Sequence, residues 1–250
     1  MRDDQSAEAV AKADARWMRR ALERARQGLG RTTPNPAVGA CVVTSDGVVV
    51  GDGCHERAGG PHAEVVALDE AGERARGSTL YCTLEPCVHT GRTGPCTKRI
   101  IAAGIGRVVA AMEDPFPLVR GRGFAALREH GIAVDTGIGR ADAVRLNQPF
   151  LTTLRERRPF VILKAATSLD GRLAAAPGAR TQLTSDAAVR HAQYQRAQVD
   201  AVAIGSGTLR IDDPLLTVRL VYRERPLTRF IFDRRLCASP DARVFSTLAA

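Results

Sequence analysis

Apolar residues at Trp17, Met18, Ala21, Leu22 and Ala25 recur at helical spacing and are followed by Gly28 and Gly30, which predicts an amphipathic helix ended by glycine. Residues 37–43 and 47–51, joined by Ser45, Asp46 and Gly47, predict a β-hairpin. After a loop containing glycine and histidine, Val65, Val66, Leu68 and Ala71 alternate with charges and suit a helix over 62–76. A strand over 78–83, a helix over 97–103, a strand over 107–112, a helix over 123–130 and a strand over 132–135 complete the series. Helix, hairpin, then alternating strands and helices is the order of a layered α/β domain.

The pattern lapses at NQPFLTTLRERRP, residues 147–159, which is polar and bounded by proline. This stretch predicts a linker between a first domain at 1–147 and a second at 158–250, in keeping with a length of 250 residues against a single-domain mode of about 100–150. The second domain opens on a β-like run at 160–163. A helix is expected over 185–197, and a buried strand over 201–204 leads into a glycine turn, Gly205, Ser206, Gly207 and Thr208. Another strand is expected near 228–233.

Composition narrows the class. With 44% hydrophobic and 25% charged residues the chain is globular rather than disordered, and no apolar run reaches the ~20 residues that span a bilayer. The start, MRDDQSAEAVAKADARW, lacks the apolar core of a secretory signal, so a cytoplasmic location is expected, and self-association is left open. In a reducing compartment the six cysteines read as metal ligands or buried thiols. The net charge of +9 is uneven, with +2 on residues 1–147 and +7 on 148–250, and only Lys12, Lys98 and Lys164 accompany 33 arginines. That distribution argues against a nucleic-acid surface on the first domain.

The first domain holds Pro61, His62, Ala63 and Glu64, then Glu85, Pro86 and Cys87, with Cys96 nine residues further on. Two thiolates and an imidazole suit Zn²⁺, and three protein ligands leave a fourth position for a water whose pKa the metal lowers to roughly 7. Glu64 lies two residues beyond His62, and such a pair does not share a helix face. Both reach one site only off the N-terminal end of the helix, which makes Glu64 a carboxylate beside the metal and not a ligand. His and two Cys on zinc with a free Glu is the nucleobase deaminase arrangement, which expects C-x-x-C where this chain inserts VHTGRTGP between Cys87 and Cys96. The alternatives are a nucleoside or tRNA deaminase of the same zinc class, or a non-enzymatic zinc scaffold closed by Cys54, Cys82 or His89.

The stretches RTTPNPAVGACVV, GDGCHERAGGPHAEVVAL, TLEPCVHTGRTGPCTKRI, RPFVILKAATSLDGRLA and DAVAIGSGTLRIDDPLLTVR resemble the bifunctional deaminase/reductase family of riboflavin biosynthesis, insertion included. The resemblance implies a cytidine-deaminase-like α/β/α domain followed by a dihydrofolate-reductase-like α/β domain. It implies hydrolytic loss of the 2-amino group from 2,5-diamino-6-(5-phosphoribosylamino)pyrimidin-4-one, then NADPH-dependent reduction of the ribosyl group. Asn35 and His55 are implied to contact the pyrimidine and Arg92 the phosphoribosyl group. For the second domain it implies Ala166, Thr208 and Asp212 at NADPH and Arg196, Leu216 and Arg219 at the substrate, and Lys164 within an apolar run marks a possible buried site lysine. This half departs from the family pattern at Arg180, Gln182 and Arg234 and stops before the later strands, so an incomplete reductase domain with weak or absent NADPH turnover is expected.

Overall fold

The computed structural model describes residues 2–89 and 94–247, with side chains from residue 7 onward. They divide into two compact units, Met1–Phe160 and Val161–Ala250. In the first, α1 (Arg2–Arg26) precedes the hairpin β1 (Gly39–Val43) and β2 (Val49–Cys54). Then come α2 (Ala63–Ala71) with a 3₁₀ turn at Gly72–Ala75, β3 (Thr79–Cys82), α3 (Cys96–Ala102), β4 (Arg107–Ala110), α4 (Arg122–Glu129), β5 (Ala133–Thr136), α5 (Arg140–Leu146) and α6 (Gln148–Glu156).

The sheet order is β2-β1-β3-β4-β5, with β1 antiparallel to both neighbours and β3, β4 and β5 parallel. Register places Ala40, Val42, Gly51, Gly53, Leu80 and Cys82 on one face and Cys41, Asp52 and Tyr81 on the other. α2 lies on the first face, and glycine is what lets it approach: a Cβ on Gly51 would sit 2.0 Å from the Ala67 carbonyl oxygen, and one on Gly53 2.1 Å from that of Ala63. α1 covers the second face, where Arg20 and Arg24 bind Asp52, and Tyr81 donates to Asp14 at 2.7 Å. Met18, Leu80, Ile100, Leu127, Val42, Val108 and Val109 fill the two layers of core on either side of the sheet.

The stretch read as a polar linker, 147–159, is largely α6. Pro149 stands in its first turn, where a missing N–H costs nothing, and Leu151 is buried. The first unit therefore runs on to Phe160.

The second unit contains α7 (Asp186–Gln198), capped by the Ser185 hydroxyl, then β6 (Ala201–Gly205), α8 (Ser206–Asp212) and β7 (Thr228–Phe232). β6 and β7 form a two-stranded parallel sheet over a small core of Leu209, Leu216 and Val244. The strand expected to be buried over 201–204 forms as β6, but Ala201, Val202 and Ile204 are only half-buried and Ala203 is exposed. Residues 160–163 form no strand, and Val161, Ile162, Leu163 and Lys164 are exposed, because a strand persists only where a neighbour takes its backbone groups and no described strand does. The Gly205 to Thr208 turn is the start of α8, with Gly205 as its N-cap residue.

Candidate active site

The C-terminal ends of β3 and β4 and the N-terminal end of α2 meet at one edge of the sheet, where open α/β folds bind ligands. His62 is the N-cap residue of α2, in extended conformation, and Glu64 is in the first turn. Cys87 lies on the loop after β3, and Cys96 is the first residue of α3. Helix N-termini favour negative charge, so α2 and α3 suit the acidic groups placed there.

His62, Cys87 and Cys96 each offer a ligand atom within 4.8 Å of the others. His62 Nδ1 lies 3.1 Å from Cys96 Sγ and 3.6 Å from Cys87 Sγ, and the Cys96 N–H donates to Cys87 Sγ at 3.4 Å. Zinc bonds of about 2.0–2.3 Å imply tetrahedral edges of roughly 3.3–3.8 Å, a range that includes the 3.6 Å separation and lies just above the 3.1 Å one, so a small adjustment of these donors admits that ion. Hydrogen bonds from Cys96 and His62 outweigh burial and pull the Cys87 thiol down to about 4, while the neighbouring Cys96 thiol is pushed up by its bond to Cys87 and by burial. Among the described residues Cys54, Cys82 and His89 are not part of the cluster, which removes the candidates for a fourth protein ligand.

Glu64 is also buried, and burial pushes its carboxyl up to about 7, with His62 opposing the shift and Cys87 adding to it. It opens into a cavity of about 430 Å³ lined also by Asn35, His55, Asp114, Phe116 and Phe150. The His55 Nδ1–H donates to the Pro61 carbonyl at 2.9 Å, which leaves Nε2 to accept from Asn35 Nδ2 at 3.0 Å. Burial holds His55 below the usual imidazole range, consistent with a neutral ring. The Asn35 loop is tied down by Asn147, whose side-chain amide exchanges two hydrogen bonds, of 2.8 and 2.9 Å, with the Ala37 backbone.

Asp114, Phe116, Phe150 and Asn147 were not identified from sequence. The first two follow β4 with no motif around them, and the last two belong to the α5–α6 region, where polarity suggested a linker. Arg92 lies outside the described residues.

In the second unit, Arg196 Nη1 donates to the Thr217 carbonyl at 3.1 Å and the Arg219 N–H to Gln193 Oε1 at 2.9 Å, which brings Arg196 and Arg219 together. Burial and the Arg219 charge lower the Arg196 pKa. Leu216 turns its side chain into the small core. Thr208 is exposed on α8, Asp212 closes that helix, and Ala166 lies in 161–184, which holds no helix or strand.

Residues 11–112 match the cytidine and deoxycytidylate deaminase zinc-binding region, and residues 159–250 match the RibD C-terminal domain. The riboflavin biosynthesis protein RibD of Aquifex aeolicus is 47% identical over 234 residues, 94% of this chain and 65% of that protein. That of Escherichia coli is 51% identical over 206 residues, 82% of this chain and 56% of that one. Among solved structures, RibD of Acinetobacter baumannii superposes with a TM-score of 0.85 at 43% identity, over 95% of this chain and 68% of the other. The chain belongs to the RibD family. A Thermotoga maritima diaminohydroxyphosphoribosylaminopyrimidine deaminase/5-amino-6-(5-phosphoribosylamino)uracil reductase gives a TM-score of 0.88 at 40% identity, over the same shares of the two chains. Within RibD terms the first unit is the cytidine-deaminase-like layered domain and the second a partial reductase-like domain. The chain spans less than two thirds of the length of these two curated relatives.

Proposed function

We propose that the first unit hydrolyses the 2-amino group of 2,5-diamino-6-(5-phosphoribosylamino)pyrimidin-4-one, releasing ammonia in riboflavin biosynthesis. The observation that carries this reading is a buried carboxyl, Glu64, that opens into a ring-sized cavity beside three metal donors without belonging to the donor set. His62, Cys87 and Cys96 would hold Zn²⁺, which supplies an acidified water at neutral pH. Glu64 takes the proton lost as water adds to the ring carbon and delivers it to the adjacent ring nitrogen. It then takes the remaining proton from the added hydroxyl and passes it to the amine as the carbon–oxygen double bond forms and the carbon–nitrogen bond breaks, so one carboxyl relays both protons and ammonia leaves. A buried carboxyl that faces both the metal donors and the cavity is placed to carry protons between them.

Asn35, its amide N–H committed to His55, keeps Oδ1 to accept from an amino group on the ring; His55 lines the cavity and fixes that orientation. Arg92 is assigned to the phosphoribosyl group on the resemblance alone. Among the described residues the cavity is lined by no lysine or arginine, and the first unit carries only +2 over residues 1–147, which suits a small molecule over a nucleic acid. For the second unit the reading is NADPH-dependent reduction of the ribosyl group, with Arg196 and Arg219 suited to a phosphate. Ala166, Thr208 and Asp212 are assigned to NADPH on the resemblance alone.

The test is ammonia release from the pyrimidine substrate and from cytidine, by the wild type and Glu64→Gln. Release from the pyrimidine alone, reduced roughly 10²-fold or more in Glu64→Gln with zinc retained, supports the reading. Turnover of cytidine in preference, or an undiminished Glu64→Gln, refutes it.

A further inference from the structure

α4 begins without a cap of its own, since its N-cap residue is Gly121 and no side chain of the helix or its approach takes the first N–H groups. The carboxylate that takes them comes from Glu85, on the loop after β3, and it is buried. Its Oε1 accepts from the N–H of Gly123 at 2.8 Å and of Phe124 at 3.4 Å; its Oε2 accepts from Gly121 at 3.0 Å and from Asp114 at 3.1 Å. The Glu85 N–H in turn donates to the Met112 carbonyl at 3.0 Å. At Gly123 the helix backbone lies so close to the Pro86 carbonyl oxygen that a Cβ would stand 2.1 Å from it. The peptide running from Glu85 to Cys87 is thus gripped by α4 from one side. From the other, α3 grips Cys87 itself, its carbonyl accepting from the Thr97 N–H and hydroxyl, each at 3.2 Å.

We propose that Glu85 is a positioning residue of the metal centre: its two carboxylate oxygens lock α4 and the loop after β4 at Asp114 onto the loop that presents Cys87, so that one side chain sets both a metal donor and a wall of the cavity. Glutamine cannot replace it, because both oxygens are acceptors and an amide NH₂ would face two backbone N–H groups. Aspartate is a methylene too short to reach all four donors. The consequence for turnover rests on the deaminase reading, whereas the consequence for metal affinity does not.

Zinc dissociation constants are measured by chelator competition on the full chain for wild type, Glu85→Gln, Gly123→Ala and Asp14→Asn, together with thermal midpoints and, for turnover, kcat and KM. Gly123→Ala strains the same clamp from the helix side and decides the matter should Glu85→Gln not fold. Asp14→Asn breaks a buried network in contact with α1, β3 and β4 and measures what destabilisation alone does to metal binding. Expected is zinc binding weakened about 10- to 100-fold in Glu85→Gln and in the same direction in Gly123→Ala. Asp14→Asn should lower the midpoint and leave zinc affinity within about twofold of wild type, as expected for a site remote from the metal. Raised KM in the clamp variants, from displacement of Asp114, accompanies this. Wild-type zinc affinity in Glu85→Gln or Gly123→Ala, or equal weakening in Asp14→Asn at the same loss of midpoint, overturns the proposal. A wild type that binds zinc but releases no ammonia sinks the deaminase reading alone and leaves Glu85 to be judged by the metal affinities.

Discussion

Glu64 and Glu85 are both buried carboxyls near the same metal donors, and their hydrogen-bond partners separate their roles. Glu85 is saturated by four backbone N–H groups, whereas Glu64 faces the cavity beside the metal donors, where burial pushes its carboxyl up. Asp14 shows a third outcome. Burial pushes its carboxyl up, but hydrogen bonds from Arg107 and Tyr81 and the Arg107 charge more than reverse this, so its folded pKa lies below the usual value. A carboxylate depressed in this way stabilises the fold above its unfolded pKa, near 4, and loses that contribution as pH falls through the folded value. Stability measured by denaturant from about pH 6 to pH 3 should therefore fall more steeply in the wild type than in Asp14→Asn. Parallel profiles would contradict the assignment. At this scale the metal donors, and the placement of Glu64 beside them, were legible because their spacing is chemically restrictive. Asp114 and Phe150 were not, because each is an ordinary residue that matters only through where the fold puts it.

Among the elements, the one that carries most of the site is α2, and the glycines of β2 decide where it lies. A Cβ at Gly53 would meet the Ala63 carbonyl in the first turn, between His62 and Glu64. Gly53→Ala should therefore lower the thermal midpoint and weaken zinc together. Gly47→Ala, at φ +81 with nothing within 4 Å, should cost only backbone strain of about 1–2 kcal/mol and spare the metal. Loss of zinc affinity in Gly47→Ala, or none in Gly53→Ala, would show that this packing does not govern the site. The hairpin and the alternation from α2 to β5 follow the hydrophobic pattern because each element buries one face on a shared core. α6 escaped that reading, since its short apolar face, with Phe150 and Leu151, is diluted by threonines and Arg155 and introduced by a proline. Residues 160–163 were misread in the opposite sense: the run is apolar and β-like, but pattern alone does not provide the neighbour a strand needs.

Across the molecule, stability is unevenly placed, with an extensive core in Met1–Phe160 and a core of three buried side chains in Val161–Ala250. The stretch 161–184 has no helix or strand and is largely exposed, which makes it the expected site of first proteolysis. Brief trypsin treatment should yield a fragment of the first unit that retains zinc, as judged by mass and metal content; early cuts between His62 and Cys96 would contradict the division. That the chain has two units was legible from length and from the change in pattern, although the change was placed too early by the length of α6. Whether a fourth position stays open for water depends on how many protein atoms hold the metal. X-ray absorption at the zinc edge of the loaded chain should report two sulfurs, one imidazole nitrogen and one further light atom that responds to added competing anions. A third sulfur or a second histidine in the shell would contradict it.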